Sequence, residues 1–195
     1  MKPQKNNQIK ESVVFIKNAI LKPKQVAYLL PSSKALIHTI AEKAQLSEAC
    51  RIVELGPGTG GTTKGILTEM RDDAELCSVE INKDFVEYLR KTIKDKRLNV
   101  CHDGAQNLSG IVKNQGWTHA DVVISGIPFS TLPRSIAKDI MQSIYDNIKP
   151  GGLFVAYQLR DRVGQLANPI FGESITHWEY KNFPPMRIFI WKKGQ

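Results

Sequence analysis

The ten residues from 51 to 60 constrain the fold of this chain more than any other segment. They read Arg-Ile-Val-Glu-Leu-Gly-Pro-Gly-Thr-Gly, an apolar run that ends in three glycines at alternate positions. Glycine adopts positive φ angles at little cost and, having no Cβ, lets the backbone approach a ligand closely. A helical pattern follows over residues 62–70. The segment therefore predicts a buried strand, a helix, and between them a ligand-binding turn formed by Gly56, Gly58 and Gly60. An ordinary tight turn is the alternative, but it seldom needs three glycines.

Apolar strand-like segments and helical patterns alternate along the rest of the chain. The predicted strands after the glycines are 75–80, 98–103, 120–124 and 152–158, and the predicted helices are 33–44, 84–96 and 135–148. We expect the 84–96 helix to bury Phe85, Tyr88 and Leu89. Two further segments, 180–183 and 187–191, flank Pro184-Pro185 and predict a terminal hairpin. The alternation predicts an α/β fold with a parallel sheet covered on both faces.

Acidic residues stand at or near the carboxyl ends of the first three predicted strands. In such a sheet the ligand binds beyond those ends. Glu80 follows the glycines at about the spacing at which a carboxylate accepts both hydroxyls of a ribose. Asp103 can accept an adenine amino group, and Gly104 and Ala105 leave room for the ring. Each acid alone is equally consistent with a helix cap or a solvated loop, but together with Glu54 they indicate a nucleoside-containing ligand.

The pattern E-x-G-x-G-x-G over Glu54 to Gly60 resembles the first cofactor motif of the class I S-adenosylmethionine (SAM) methyltransferases. The resemblance implies SAM as the cofactor and a Rossmann-like three-layer sandwich. Its sheet would be mostly parallel and seven-stranded, with a C-terminal antiparallel hairpin. Glu54 would face the amino group of the methionine part, or hold the turn by accepting backbone N–H bonds.

The fourth strand leads into Ser125-Gly126-Ile127-Pro128-Phe129. Methyltransferases that act on the amino groups of bases have Asn or Asp at the first of these positions, and their aromatic residue stacks on the base. Ser125 is a poorer acceptor for an amine than Asn, whereas Pro128 and Phe129 match. The difference counts against exocyclic base amines as substrates, although a turn with a buried Phe is the plain structural alternative.

Nearly the whole chain resembles the bacterial soluble phospholipid N-methyltransferases, which convert phosphatidylethanolamine to phosphatidylcholine. The narrow motifs are the Ser-Gly-Ile-Pro turn with Leu132-Pro133 after it, Pro31-Ser32-Ser33, and Asn182-Phe183-Pro184-Pro185. The likeness to ribosomal RNA adenine dimethylases is weaker because of Ser125. The resemblance implies a cofactor site formed by Ser32, Ser33, Glu54, Gly56, Gly58, Gly60, Thr62, Glu80, Ile81, Asp103, Gly104, Ala105 and Ser125. It implies a substrate site formed by Gly126, Ile127, Pro128, Phe129, Tyr157 and Arg160.

Charge and the N-terminal sequence favour a lipid surface as a partner. The formal net charge is +8, which indicates an anionic partner, either nucleic acid or lipid. If residues 1–30 contain a helix, its apolar face is bordered by lysines, as in helices that bind anionic phospholipid membranes. A helix that packs on the domain is the alternative. We therefore expect an N-terminal amphipathic segment (1–30) and a methyltransferase domain (31–195). Without a predicted membrane span or signal peptide, the protein would be cytoplasmic and peripheral at the inner membrane face.

The expected reaction is transfer of methyl groups from SAM to the amine of phosphatidylethanolamine. Ser125 and Tyr157 are the candidate catalytic residues, with Tyr157 as a proton acceptor or as a cation–π partner of the methylated headgroup. Arg160 and Arg162 are candidates to pair with the lipid phosphodiester. Three cysteines without metal spacing predict no metal site. The alternatives are an RNA or DNA adenine N6-methyltransferase, disfavoured by Ser125 and by the lack of an appended RNA-binding domain, and a non-catalytic SAM-binding protein.

Overall fold

The computed structural model describes residues 33–195, which form a seven-stranded sheet covered by helices on both faces. The strand order is β3-β2-β1-β4-β5-β7-β6. The strands are β1 (Arg51–Leu55), β2 (Glu75–Glu80), β3 (Leu98–His102), β4 (Ala120–Ser125), β5 (Ile148–Gln158), β6 (Ile175–Glu179) and β7 (Met186–Lys192). Strands β1 to β5 are mutually parallel, and β7 is antiparallel to both β5 and β6. The predicted sheet with its C-terminal antiparallel hairpin is confirmed.

Six α-helices connect the strands of the described part of the chain. They are α1 (Lys34–Lys43), α2 (Gly61–Glu69), α3 (Lys83–Thr92), α4 (Leu108–Asn114), α5 (Arg134–Asn147) and α6 (Arg162–Phe171). Alternate residues of the strands point to opposite faces of the sheet, so each strand supplies two cores. In β1, Val53 and Leu55 pack toward α4, α5 and α6, whereas Ile52 packs toward α1 and α2. The result is the predicted three-layer sandwich.

The hairpin differs from the prediction in its first strand. Residues 180–183 form the turn, and the strand lies earlier, at Ile175–Glu179. This edge strand exposes four of its five residues, so it has none of the apolar–polar alternation by which a half-buried strand is recognised. The predicted strand at 180–183 is therefore wrong.

Helix α3 buries only part of the predicted face. Leu89 is buried as predicted, together with Val86, against Val100, whereas Phe85 is half-buried and Tyr88 is 47% exposed. The helix packs over β3 and β2. The sequence pattern does not indicate α4 and α6, and β5 begins at Ile148, four residues before the predicted start at 152.

The packing of α1 against α2 supports the glycine turn that precedes α2, and it yields a test. A Cβ on Gly65 of α2 would lie 2.2 Å from Ile37 Cγ2 of α1. We expect Gly65→Ala to lower the free energy of unfolding by about 1–3 kcal/mol through overpacking. In the matched control Gly110→Ala on α4, the added Cβ meets no atom within 4 Å. That change should stabilise the protein by about 0.5–1 kcal/mol. Urea denaturation of both variants is the measurement, and equal midpoints would contradict the packing.

Candidate functional site: the carboxyl edge of the sheet

The three glycines form a left-handed turn between β1 and α2. Gly56, Gly58 and Gly60 have φ angles of +73°, +56° and +82°, which side-chain-bearing residues rarely adopt. A Cβ at Gly60 would lie 2.5 Å from Leu89, whereas a Cβ at Gly58 would meet no atom within 4 Å. Gly58 therefore exposes its backbone to an open space beside the first turn of α2. The predicted ligand-binding turn has the geometry expected of it.

Glu80 lies against this turn, as its position at the end of β2 predicts. Its Oε2 accepts a hydrogen bond from Gly58 N at 3.1 Å, and its Oε1 accepts one from Asn82 N at 2.8 Å. Burial raises the pKa of the Glu80 carboxyl, and these backbone hydrogen bonds oppose the shift. A carboxylate has about four acceptor positions, so each oxygen can accept one further hydroxyl. The Glu80 side chain can therefore hold the glycine turn in place and bind the two hydroxyls of a diol at the same time.

Glu54 is fully buried in β1, on the α2 side of the sheet. Its Oε2 accepts hydrogen bonds from Thr63 Oγ1 and Ser78 Oγ, both at 2.7 Å. These donors are side-chain hydroxyls, so the expectation that Glu54 holds the turn through backbone N–H bonds is wrong. Its Oε1 has no partner among the described residues. Burial raises the pKa of Glu54 to about 7. A buried carboxylate oxygen without a donor fits an ammonium group supplied by a ligand.

The third acid stands just beyond β3. Asp103 Oδ1 accepts hydrogen bonds from Gly104 N and Asn107 Nδ2, both at 2.7 Å. Gly104 and Ala105 are buried, and a Cβ on Gly104 would come within 2.4 Å of the Gln106 amide. Ile81 is half-buried after Glu80 and packs against the core. The turn after β3 is thus held in a fixed conformation by Asp103, with its small residues turned inward.

A second group of residues surrounds the end of β4. Gly126 N donates to Leu55 O at 2.9 Å, and Gln158 Nε2 donates to Ile127 O at 2.6 Å. A Cβ on Gly126 would lie 2.5 Å from the Tyr157 hydroxyl and 3.2 Å from Gly56 O. The absence of a side chain at Gly126 therefore lets Tyr157 approach the glycine turn. The ends of β1, β4 and β5 meet at this point.

Tyr157 is half-buried, and its hydroxyl lies 3.1 Å from Thr62 Oγ1. Burial, and secondarily the nearby Glu54, raise the pKa of the Tyr157 phenol above its ordinary value. The side chain therefore stays a neutral phenol at physiological pH. This disfavours Tyr157 as the proton acceptor and favours a positioning role, in which the phenol oxygen accepts a hydrogen bond.

Two candidates are placed differently from the expectation. Ser125 is fully buried, and its Oγ accepts a hydrogen bond from Ile127 N at 3.2 Å. Phe129 is also fully buried, within the core under α4, α5 and α6. A buried ring cannot stack on a substrate, so the prediction of Phe129 as a substrate contact is wrong. Ser125 holds the turn rather than facing an open site.

The remaining candidates lie at the same edge. Arg160 is exposed beyond β5, and Arg162, half-buried at the start of α6, donates to Gln165 Oε1 at 3.3 Å. Ser33 caps α1 by accepting a hydrogen bond from Leu36 N at 3.1 Å. Ser32 and the segment 1–30 lie outside the described residues. Among residues 33–195, no three His, Cys, Asp or Glu side chains are grouped as metal ligands.

Sequence reasoning missed four residues that hold the site in place. They are Thr63, Ser78, Gln158 and Asn182. Ser78 offered a signal, because a polar residue inside the apolar β2 segment needs a buried partner. Asn182 was noticed only as part of a motif, yet its Oδ1 accepts the hydrogen bond of Ser33 N at 2.9 Å across 149 positions.

Comparison with known proteins identifies the family. The family model described as ribosomal RNA adenine dimethylase matches residues 28–156, more than half of the chain. The chain belongs to this family. It is a SAM-dependent methyltransferase, and Glu54, Glu80 and the glycine turn are the residues of the structure that fit SAM. Among solved structures, the N-methyltransferase NodS from Bradyrhizobium japonicum with S-adenosyl-L-homocysteine superposes with a TM-score of 0.66. The two share 10% identity over 94% of this chain and 99% of that one, which shows the common fold.

Two relatives of this chain have names that describe different substrates, a lipid and ribosomal RNA. An ornithine lipid N-methyltransferase from Singulisphaera acidiphila is 28% identical over 85% of this chain and 87% of its own length. A ribosomal RNA small subunit methyltransferase A from Nostoc is 31% identical over 62% of this chain. This family member spans only 45% of the Nostoc protein, and 34% of a mitochondrial ribosomal RNA methyltransferase from Arabidopsis thaliana.

If Glu54 binds the methionine ammonium, its charge should make the affinity for SAM depend on pH. With a pKa of about 7, Glu54 is ionised above that pH and protonated below it. Only the ionised form attracts the methionine ammonium, which stays mostly protonated up to about pH 7.5. We expect the Kd for SAM to rise about eightfold from pH 7.5 to pH 6. Glu54→Gln should bind weakly and without this dependence, whereas the exposed Glu48→Gln should keep it. Titration calorimetry is the measurement, and a flat profile in the parent protein would contradict the assignment.

Glu80 should account for much of the cofactor affinity. Replacing it with Ala removes two acceptor oxygens and also frees Gly58 N. We expect Glu80→Ala to weaken SAM binding by about 2–3 kcal/mol, the worth of charge-assisted hydrogen bonds. Glu87→Ala, on the exposed face of α3, is the control. An unchanged Kd in Glu80→Ala, measured by calorimetry, would show that the ribose is bound elsewhere.

Proposed function

We propose that the protein is a lipid N-methyltransferase that methylates the primary amine of phosphatidylethanolamine at a membrane surface. The relative from Singulisphaera, whose name describes lipid N-methylation, supports this proposal over nearly the full length of both chains. Phosphatidylethanolamine and ornithine lipids share the reacting group, a primary amine on an aliphatic carbon. The proposal is therefore that the reacting group is a primary aliphatic amine and that the lipid which contains it is phosphatidylethanolamine.

The burial of Phe129 is the observation that carries the proposal. An enzyme that methylates a base amine needs a flat surface for the base and an acceptor for the amine hydrogen. Phe129 is in the core, and the Ser125 hydroxyl already accepts a hydrogen bond from Ile127 N. An aliphatic amine needs no flat surface. A headgroup amine bound next to Gly126 would meet the Tyr157 hydroxyl, which can accept one of its hydrogens.

Positioning is the chemical contribution that these side chains can make. SAM, when bound, supplies a methyl group on a sulfonium centre, and the neutral amine displaces it in line. Holding the two partners in contact supplies most of the acceleration in such a reaction. Tyr157, fixed by Thr62 and by its contact with Gly126, would orient the amine nitrogen. The ammonium headgroup must lose a proton first, and solvent water at the open edge is the acceptor that we assign.

The cofactor assignments extend the same proposal residue by residue. Glu80 would accept the ribose hydroxyls, Asp103 the adenine amino group, and the unpartnered Glu54 Oε1 the methionine ammonium. Ser33 would lie near the methionine part of the cofactor, and the backbone of Gly58 would lie near its ribose. Arg160 and Arg162, beyond the end of β5, would pair with the phosphodiester of the lipid.

The proposed location is the cytoplasmic face of the inner membrane, where the protein would bind peripherally. Among the described helices, none is both long enough and apolar enough to cross a bilayer. The net charge of +8 favours anionic lipid. The lysine-bordered segment within residues 1–30 would add to this attraction, and it lies outside the described residues.

A three-substrate assay tests the proposal. The protein is incubated with SAM labelled in its methyl group and with vesicles of phosphatidylethanolamine, vesicles of ornithine lipid, or bulk RNA. We expect label in the phosphatidylethanolamine extract, because an aliphatic amine needs no exposed aromatic ring and can donate a hydrogen bond to the Tyr157 hydroxyl. Glu80→Ala should lose this label if the activity belongs to this chain. Label in ornithine lipid alone would overturn the named substrate and keep the lipid amine. Label in RNA alone would overturn the lipid proposal altogether.

A further inference from the structure

The loop between β6 and β7 has an inverted pattern of burial. Tyr180 and Phe183 are 73% and 89% exposed, whereas the polar Glu179 and Asn182 are 9% and 7% exposed. Soluble domains normally bury aromatic rings and expose carboxylates and amides, so this inversion is the informative observation. Trp178, 38% exposed, stacks on Tyr180 with ring centroids 5.8 Å apart. We call Trp178, Tyr180 and Phe183 the aromatic tip.

Hydrogen bonds hold the loop in this conformation. Glu179 accepts from Thr39 Oγ1 of α1 and from Lys181 N, both at 2.7 Å. Asn182 accepts from Ser33 N at 2.9 Å and donates to Pro184 O at 2.8 Å. The buried polar side chains thus fix the loop to the start of α1 and turn the rings outward. An outward ring held by a fixed loop is preorganised for a partner.

The aromatic tip lies at the same edge of the sheet as the glycine turn. Strand β6 runs parallel to β5 because both are antiparallel to β7. Trp178 and Gln158 both pair with Arg187, so they lie at the same height in the sheet, about two strand spacings or 10 Å apart. Gln158 donates a hydrogen bond to Ile127 O, just beyond the end of β4. A partner bound by the tip would therefore lie close to the end of β4.

We propose that the aromatic tip inserts into the headgroup boundary of an anionic phospholipid bilayer and holds the carboxyl ends of β4 and β5 against it. Trp and Tyr favour the membrane interface because one part of each ring system is apolar and another is polar. Exposed Lys181 lies between Tyr180 and Phe183, and exposed Arg160 stands at the same edge, so both can meet lipid phosphates. The choice of a bilayer as the partner rests on the proposed function. The exposure of the rings is a feature of the structure and does not depend on that function.

The alternative partner for exposed rings at a basic edge is single-stranded nucleic acid, whose bases stack on aromatic side chains. Here the Trp178 ring already stacks on the Tyr180 ring and contacts the Arg187 guanidinium. The Cζ of Arg187 lies 4.7 Å from the centroid of the Trp178 ring. Little of the indole surface is left for a base. Insertion into lipid needs no free ring face, and it suits the nearly fully exposed Phe183.

The test measures binding of the full chain to vesicles of phosphatidylethanolamine and phosphatidylglycerol by co-sedimentation. The variant replaces Tyr180 and Phe183 with Ser, and we expect its vesicle affinity to fall about tenfold or more. Ile175→Ser is the matched control, because Ile175 is 73% exposed on the same strand but at its opposite end. We expect the control to bind like the parent protein. Equal binding by the double variant and the parent would overturn the proposal, and so would an equal loss in the control.

Tryptophan fluorescence provides an independent readout. Trp117 and Trp191 are buried, so a vesicle-induced blue shift reports on Trp178. We expect the shift in the parent protein and its loss in the double variant. Loss of RNA binding with retained vesicle binding would assign the tip to nucleic acid and overturn the proposal. Activity on a short-chain, water-soluble phosphatidylethanolamine separates this failure from failure of the proposed function. If the parent protein methylates no lipid amine in any form, the proposed function fails, and the vesicle measurements still decide the role of the tip.

Discussion

The architecture of the site depends on one buried carboxylate. Glu54 lies in β1 with no solvent contact, and its two hydroxyl donors come from α2 and β2. Those two hydrogen bonds fix the strand, the helix and the neighbouring strand around the glycine turn. The second carboxylate oxygen has no donor among the described residues, and leaving such a group unpaired in a protein interior is costly. Keeping Glu54 ionised therefore carries an electrostatic cost in the ligand-free protein, and under the proposed function a cationic group of the ligand would relieve it.

Much of the cofactor half of this site could be predicted from the sequence. The glycines and the acids at the strand ends follow from local pattern, because a turn that needs positive φ must contain glycine and because parallel strands bring their ends together. The partners of Glu54 could not be predicted in this way, since Thr63 and Ser78 reach it only through packing. The first strand of the hairpin was misplaced because an edge strand exposed on both faces has no alternation. Phe129 was misassigned because a motif gives the order of residues along a turn and not the direction in which a ring points.

The site has a cofactor half, formed by Glu54, Glu80 and the glycine turn, and an acceptor half at the ends of β4 and β5. The two halves give different information about function. The cofactor half consists of backbone groups and carboxylates, which any member of the fold can use for the same cofactor. The acceptor half is formed by the residues that follow β4 and by the end of β5. It is closed by hydrogen bonds from Ile127 to Ser125 and from Gln158 to Ile127, and it has no exposed ring at Phe129. The contact of the Tyr157 hydroxyl with Thr62 joins the halves, so the position of the acceptor is set relative to the cofactor turn.

The order of the strands imposes an order on biosynthesis. Strand β7 lies between β5 and β6, and it is the last of the described elements to leave the ribosome. Until it does, the outer edge of β5 and the whole of β6 lack their hydrogen-bonding neighbour, and an unpaired strand edge invites pairing with other chains. The rings and aliphatic groups that β7 brings to both cores, from Ile188 to Trp191, are nearly all fully buried. A nascent chain can thus assemble its glycine turn early, but it remains prone to aggregation until residues 186–192 complete the sheet.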